Sequence, residues 1–468
     1  KVIQMLPGVQ TMGEGAAGFN VRGSAADQNM IYINKVPVYN SSHLFGFFTS
    51  FSPDIVKDFT LYKSNLPASY GGRLASVFDI TARQGNINKY TAHGGISPVT
   101  GRLSVEGPLK RGKSSFILAA RSTYSDWLLT RLQDPELRDS KANFYDVSGM
   151  LTWEPGDKTL IKVFGYYSHD YFKLGITNQY DYNNAGGSLS IRRRMGSRVS
   201  ADLALVYGTY DFTTINEQVA SEAWTQPFRI DHYETKLDMT WLSLGKHRLT
   251  FGGNAILYNL DRGEVLPYGD ISIRAPLDLG VDNGIETAVY LADEIALTPR
   301  ITLYGGLRFS TFMALGPDQV QVYGEGLPLQ PGSVVEVRDA APYEVIKTYY
   351  GLEPRAALNF MLGANNSLKM SYNRVNQYMF MLSNTIAISP TDQWKLVDYN
   401  ITPPFVDQLS LGFYQDFPRG GINTSLEVYY KSIGDVVDYR DGANFISTPH
   451  VEQLTLQGEQ EAYGFEAL

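Results

Sequence analysis

From about Tyr90 onward the chain alternates apolar and polar residues with a period of two. In Ile422 to Tyr430, Ile422, Thr424, Leu426, Val428 and Tyr430 share one face; Asn423, Ser425, Glu427 and Tyr429 share the other. Arg248 to Tyr258 sets Leu249, Phe251, Gly253, Ala255 and Leu257 against Arg248, Thr250, Gly252, Asn254 and Ile256, and Ser367 to Arg374 alternates in the same way. This periodicity predicts two-faced strands. The strands come in pairs. Asp157 to His169 follows Val147 to Trp153, Lys246 to Asn259 follows His232 to Leu244, and Gly421 to Tyr439 follows Asp407 to Phe417. Tight polar turns join partners, as at Pro155-Gly156-Asp157, Thr298-Pro299-Arg300, Gly363-Ala364-Asn365 and Pro418-Arg419-Gly420. Longer connections, such as Leu260 to Gly284 and Ala314 to Tyr350, separate the pairs. The pattern yields about fifteen strands after residue 90, with one more starting at the end of the chain. One stretch breaks the rule. In Ile285 to Leu297, Asp293 falls beside Val289, Leu291 and Ile295, which predicts a sheltered face or a bulge there.

Two architectures share this alternation. A soluble sandwich turns the polar face outward; a membrane barrel turns the apolar face to lipid and the polar face to a wet lumen. Several segments exceed about 10 residues, enough to cross a bilayer at a tilt, whereas soluble strands commonly have about 5–6. Short turns alternating with long loops suit a barrel. So do the tyrosines and tryptophans near strand ends, at Tyr166-Tyr167, Tyr207, Tyr210, Trp241, Tyr349-Tyr350 and Tyr429-Tyr430.

Residues 1–86 have a different texture. Apolar stretches are brief and cut by Gly13, Gly15, Gly18, Gly23, Pro37, Pro53, Pro67, Gly71, Gly72 and Gly85. Ile31 to Tyr39 and Val56 to Tyr62 read as strands of a small mixed domain. The predicted organisation is a first domain over 1–86 and a β-domain over 90–468.

Composition narrows the function. The 468 residues include no cysteine, which excludes thiol catalysis, iron–sulfur clusters, zinc ribbons and disulfide frameworks. Forty Lys and Arg against 48 Asp and Glu, a net charge of −8, argue against a nucleic-acid binder, which needs a basic footprint. No apolar run approaches the roughly 18 residues of a membrane helix. The six histidines (43, 93, 169, 232, 247, 450) have no metal-ligand spacing. Ser97 and Ser168 sit in no nucleophile elbow. Asp238 and Glu234 share a strand face without a cleft, and the glycine pairs, including Gly186-Gly187, fit bends and turns. The chain opens at Lys1 without an initiator Met and stops at Leu468 inside an alternating stretch, so it reads as an internal piece of a longer chain.

Particular stretches then carry a resemblance. Leu6-Pro7-Gly8-Val9, Phe19-Asn20-Val21-Arg22-Gly23, Tyr32 to Tyr39, Pro67-Ala68-Ser69-Tyr70-Gly71-Gly72-Arg73 and Val77 to Arg83 resemble, in order and spacing, the plug of TonB-dependent outer-membrane transporters. Glu353-Pro354-Arg355 and Gly464-Phe465-Glu466 resemble strands of the family's barrel. Tyr39 to Phe48 and Pro390-Thr391-Asp392-Gln393-Trp394 look like the version common in Bacteroidota. The resemblance covers essentially the whole chain. It implies an all-β transmembrane barrel, 22-stranded in the family with about 15–16 strands here, enclosing a small mixed α/β plug. It also implies residence among the lipids of a Gram-negative outer membrane, no catalysis and no cofactor. Uptake of a scarce nutrient (siderophore, cobalamin, glycan or peptide) would be driven by the TonB–ExbB–ExbD complex acting through a TonB box ahead of Lys1. A surface lipoprotein is a further possible partner.

Site residues follow by position. Arg22 is expected to seat the plug by pairing with barrel carboxylates, with Glu466 at one such position. Lys63 stands where many members carry a second Arg, and Lys lacks the bidentate fork. A second carboxylate is expected near Ser410, which is not acidic, so a four-residue charge cluster is not expected. The plug should face outward at 24–29 and 39–43, making Asp27, Gln28, Tyr39 and His43 candidate ligand contacts. The aromatic loops Phe212 to Phe228 and Met379 to Trp394 could shape the mouth. A plug that moves should meet the wall through wet, polar contacts. Two other readings stay open: a non-cycling outer-membrane receptor or scaffold subunit, and a soluble all-β hydrolase.

Overall fold

The computed structural model describes residues 6–10, 18–131, 133–134, 138–175, 178–243, 245–383, 389 and 391–468. Gly13, Gly15, Pro390 and residues 384–388 of the 379–394 loop lie outside them.

Eighteen strands form one barrel sheet. Sixteen of these make the wall, from Thr91–Ile96 to Thr455–Ala467, each antiparallel to the next. The other two, Glu264–Pro267 and Leu277–Asp278, form a flap above the wall. Most wall strands are long: Asn178–Met195, Val199–Asn216, Val281–Thr298 and Ile422–Tyr439 each have 18 residues, or about 60 Å at roughly 3.3 Å per residue. They overreach a hydrocarbon core of about 30 Å and continue into the loops.

The faces distinguish barrel from sandwich. In Lys141–Gly156 the side chains of Phe144, Asp146, Ser148, Met150 and Thr152 are buried, while Tyr145, Val147, Leu151 and Trp153 are exposed. The same inversion runs round the wall. Leu118, Val163, Leu205, Leu237, Val289, Leu291, Leu307, Phe309, Leu352, Leu411 and Val428 are exposed, and Arg121, Asp170, Glu286, Arg308, Glu353, Arg355 and Lys431 are buried. Register places Val289 opposite Phe309 and Phe309 opposite Leu352, so these side chains form a continuous outward apolar band. A sandwich would bury that band and expose the charges. The soluble-hydrolase reading is therefore set aside.

Asp293 takes the first of the two expected forms, a partly sheltered place: its side chain is 25% exposed. Its register is regular, and it does lie on the outer face. It sits close to the short turn at Pro299, away from mid-membrane, and His247 Nδ1 lies 2.7 Å from its carboxylate.

The plug carries a four-stranded sheet in the order Val36–Pro37, Asn29–Ile33, Ser76–Ala82, Val56–Tyr62. Ile31 to Tyr39 is a hairpin rather than one strand. Asn34 and Lys35 both take positive φ (47° and 72°), the conformation of a two-residue hairpin turn. Asn34 holds that turn by donating its N–H to Ile80 O (2.8 Å) and accepting from Ala82 N (3.0 Å).

The contact between plug and wall is not uniformly wet. Ile33, Val36, Phe78 and Ile80 of the plug join Ile117, Met150, Phe164 and Val206 of the wall in one apolar cluster. The wall makes room with Gly186 and Gly208, which are register partners. A Cβ on Gly186 would lie 2.4 Å from Val36 Cγ1, and one on Gly208 would lie 3.1 Å from Pro37 Cγ. These glycines serve neither turn nor bend; they let the plug hairpin touch the wall's backbone.

Candidate functional site

Polar contacts hold the plug alongside a further apolar patch, in which Met30, Leu74 and Val77 meet Val375, Val406 and Ile433 of the wall. Arg22 is fully buried, with φ of 53°, and its N–H donates to Gly8 O (2.9 Å). A left-handed non-glycine residue is unfavourable and persists only where its surroundings demand it. Here the side chain is heavily committed. Nε donates to Glu466 Oε1 (2.8 Å), Nη2 to Glu427 Oε2 (2.5 Å) and Glu466 Oε2 (3.1 Å), and Nη1 to Ser410 Oγ (3.0 Å). The guanidinium also lies over the Tyr429 ring at 4.9 Å. Lys63 Nζ reaches Glu466 Oε2 at 2.5 Å, Glu427 Oε1 at 3.4 Å and Pro7 O at 3.2 Å.

A four-residue charge cluster is thus present, contrary to the sequence expectation. Its second carboxylate is Glu427, on the strand next to Ser410, and Ser410 contributes only a hydroxyl. Glu427 and Glu466 are direct register partners. Like charges opposite each other in a sheet are destabilising, and the plug's two cations offset that repulsion. Gly8 also belongs to this site. A Cβ there would lie 1.9 Å from Glu466 Oε1, so the Leu6 to Val9 stretch needs glycine to admit the carboxylate. The run Leu-Pro-Gly-Val held that signal; what it lacked was the identity of the carboxylate above it.

The outward plug residues separate into two settings. Asp27 and Tyr39 line a small cavity of about 50 Å³ with Asn40, Arg73, Asp392 and Trp394. Asp27 accepts from Met381 N (3.2 Å), and burial raises its carboxyl above the usual range despite that bond and the nearby Arg73. Tyr39 OH lies 3.0 Å from His232 Nδ1, and its ring meets Trp394 edge-on at 5.8 Å. Asp392, on the overlying loop, is pushed by burial to about 6. Gln28 is buried beside Asp27, and its Oε1 has no partner among the described residues.

His43 is placed elsewhere. It is wholly enclosed, its Nδ1 lies 2.5 Å from Asp170 and its Nε2 3.5 Å from Asp146. A side chain so committed to the wall is not offered to a ligand. Arg73, at the end of the Pro67 to Arg73 stretch, carries no sequence sign of a site role, yet it ties the apex to the loop above. Nη1 donates to Met379 O (2.9 Å), and the guanidinium lies 4.9 Å from the Trp394 ring centroid.

A lipid-facing barrel with a charged, ion-paired plug in its bore defines an outer-membrane plugged barrel. The family model described as the TonB-dependent receptor plug domain matches residues 1–77, and that described as TonB dependent receptor-like, beta-barrel, matches 76–468. The chain belongs to the TonB-dependent receptor family, whose barrels reside in the Gram-negative outer membrane and which are transporters and receptors rather than enzymes. Solved structures agree in fold. A mutant ferric enterobactin receptor from Pseudomonas aeruginosa is 14% identical with a TM-score of 0.67, over 100% of this chain and 74% of its own. A copper transporter is 13% identical with a TM-score of 0.70, over 99% and 72%. A double mutant of the Serratia marcescens hemophore receptor, solved with its hemophore and heme, is 11% identical with a TM-score of 0.69, over 98% and 74%. No curated protein matches.

Proposed function

We propose that this chain forms the gated body of a TonB-driven importer, in which Arg22 and Lys63 seat the plug and the cavity around Asp27 and Tyr39 receives the cargo. The observation that carries the reading is the seat itself. Two wall carboxylates in register are neutralised by plug cations, an arrangement stable when assembled and quickly lost once water enters. Pulling by the TonB–ExbB–ExbD complex would open it and let a scarce nutrient pass. A cavity of about 50 Å³ admits none of siderophore, cobalamin, glycan or peptide while it is closed, so any of these would enter only as the loop bearing Asp392 and Trp394 moves aside. The outer loops favour a neutral or cationic form of cargo: the longest, residues 316–344, carries Asp318, Glu325, Glu336, Asp339 and Glu344 against Arg338 alone.

A second reading has its own observation. The apolar patch joining Val36 and Phe78 to Ile117 and Met150 favours a plug that stays put, as in a non-cycling receptor subunit. Growth tests on ferric siderophores, cobalamin, oligosaccharides and peptides, in cells with and without TonB, separate the two. Uptake through this receptor that vanishes without TonB supports import. Surface binding with uptake unaffected by TonB loss supports the static receptor and refutes import.

A further inference from the structure

We propose that His43 is a second, outward latch of the plug: a charged pin held between Asp146 and Asp170 of the wall, separate from the Arg22 seat. The two anchors lie on different parts of the barrel. Arg22 meets the strands Phe405–Phe417, Ile422–Tyr439 and Thr455–Ala467; His43 meets Lys141–Gly156 and Thr159–Leu174. Their depths differ as well. Glu466 lies towards the rim of the barrel that carries the short turn at 418–421, whereas Asp146 and Asp170 lie towards the opposite rim, where residues 124–140 and 175–177 connect the strands.

The charges facing the ring come from three strands. Asp146 and Asp170 approach its two nitrogens, and Arg121, from Ser114–Thr123, bonds Asp146 Oδ2 through Nε at 2.7 Å. Tyr182, from Asn178–Met195, adds a neutral hydroxyl 3.0 Å from Leu44 N. Two carboxylates and one guanidinium leave one negative charge, and an imidazolium balances it. Geometry points the same way: Nδ1 bonds Asp170 at 2.5 Å, and Nε2 faces Asp146 at 3.5 Å without a hydrogen bond, so only the doubly protonated ring turns an N–H toward both carboxylates. The ring also stacks on Phe144 at 4.0 Å and 10°. Burial by itself would lower the His43 pKa, but Asp146 and Asp170 together raise it above its ordinary value.

The latch is under load. Leu44 and Phe45, directly after the pin, both take positive φ (49° and 57°), a conformation non-glycine residues avoid. Asp170 imposes it, because the carboxylate that grips His43 also accepts from Leu44 N at 3.0 Å. Arg121 Nη2 secures the far side at Thr49 O (2.5 Å). Releasing His43 therefore frees a strained segment that begins at the cargo-lining Tyr39 and Asn40. The sign follows from the raised pKa. The contribution of His43 is complete below its unfolded-state value and is lost as pH rises through the folded one, so the latch is shut in mild acid and loosens as pH rises.

Hydrogen exchange of the full-length receptor in lipid nanodiscs tests this without TonB or cargo, so its failure is distinct from failure of the import reading. After correction for intrinsic rates, protection of 40–50 is expected to fall as pH rises above about 6.5, while that of the plug-sheet strand Ser76–Ala82 stays level. His43→Gln and Asp170→Asn should each lower protection of 40–50 in mild acid and abolish its pH dependence. Histidine-selective NMR of the unmutated protein provides a readout independent of variant folding, and should find an imidazolium that keeps its proton above the ordinary histidine range, its signal assigned by its loss in His43→Gln. Level protection of 40–50 across the pH range, unchanged pH dependence in His43→Gln, or a His43 ring already neutral in mild acid would overturn the latch.

Discussion

Replacing Arg22 with alanine leaves Glu427 and Glu466 opposed across a strand pair, with Lys63 alone between them. Removing one member of a buried ion pair costs about 3–5 kcal/mol, because the stranded charge stays buried. Lys63 still touches both carboxylates, and its side chain is 17% exposed, so water can relieve part of the cost. About 3 kcal/mol is the expected loss of seating, or roughly 150-fold in the ratio of unseated to seated plug. Backbone strain refines the test. Alanine keeps the φ of 53° and its penalty of about 1 kcal/mol, whereas glycine is free of it. Arg22→Gly should thus lose only about 2 kcal/mol, near 30-fold. Arg22→Lys, which keeps charge without the fork, should lose least. The assay is susceptibility to a glycopeptide antibiotic too large for porins, with bilayer conductance of the purified receptor, at matched outer-membrane levels. The expected order of leakage is alanine, glycine, lysine, unmodified protein. Equal leakage from all four would refute the seating argument, and alanine no leakier than glycine would refute the strain term.

Other predictions use the same geometry. Gly186→Ala puts a methyl 2.4 Å from Val36 Cγ1; overpacking of that kind costs about 1–3 kcal/mol and should speed proteolysis of the plug in the intact receptor. Val289→Arg, on the outer face at the middle of its strand, should cost about 2–4 kcal/mol at mid-membrane and reduce the folded, heat-modifiable barrel in outer membranes; undiminished assembly would contradict a lipid-facing Val289. Asp392 has its pKa raised to about 6, so acidification neutralises it and favours the closed loop. A cationic cargo should accordingly bind more weakly near pH 5 than near pH 7.5, and Asp392→Asn should flatten that profile in equilibrium binding.

The fold was legible because a period of two over long ribbons has few physical solutions, and strand length with loop asymmetry selected the barrel. The faces themselves were readable: Leu426 and Val428 are exposed and Glu427 is buried. Pairing across the molecule was not. Glu427 and Glu466 become neighbours only through register, so the charge cluster could not be counted from Arg22, Lys63 and Ser410. His43 read as an apex residue because the family resemblance turns the stretch 39–43 outward, yet the chain buries its ring against Phe144. Gly186 and Gly208 carry no local sign of their role, since the side chains they accommodate belong to a hairpin far away in sequence.

The mixture of contacts around the plug bears on how it could move. The apolar patch of Val36, Ile80 and Phe78 against Met150 and Phe164 is non-directional, and its attraction scales with the area kept dry. Sliding the plug a short way forfeits little of it. The ion pairs behave oppositely. Arg22 and Lys63 depend on contacts of 2.5–3.4 Å, and admitting one layer of water replaces a low-dielectric attraction with a screened one. Such a bond resists small thermal displacement and fails abruptly beyond it, whereas the apolar patch yields gradually. A force applied to the plug would therefore meet a threshold set by the charges and then a softer slope set by the apolar area. Arg22 variants should accordingly change the force at which opening begins much more than the work needed to finish it. Single-molecule pulling on the plug can measure both quantities, and an Arg22→Ala receptor with an unchanged onset force would show that the charges do not set the threshold.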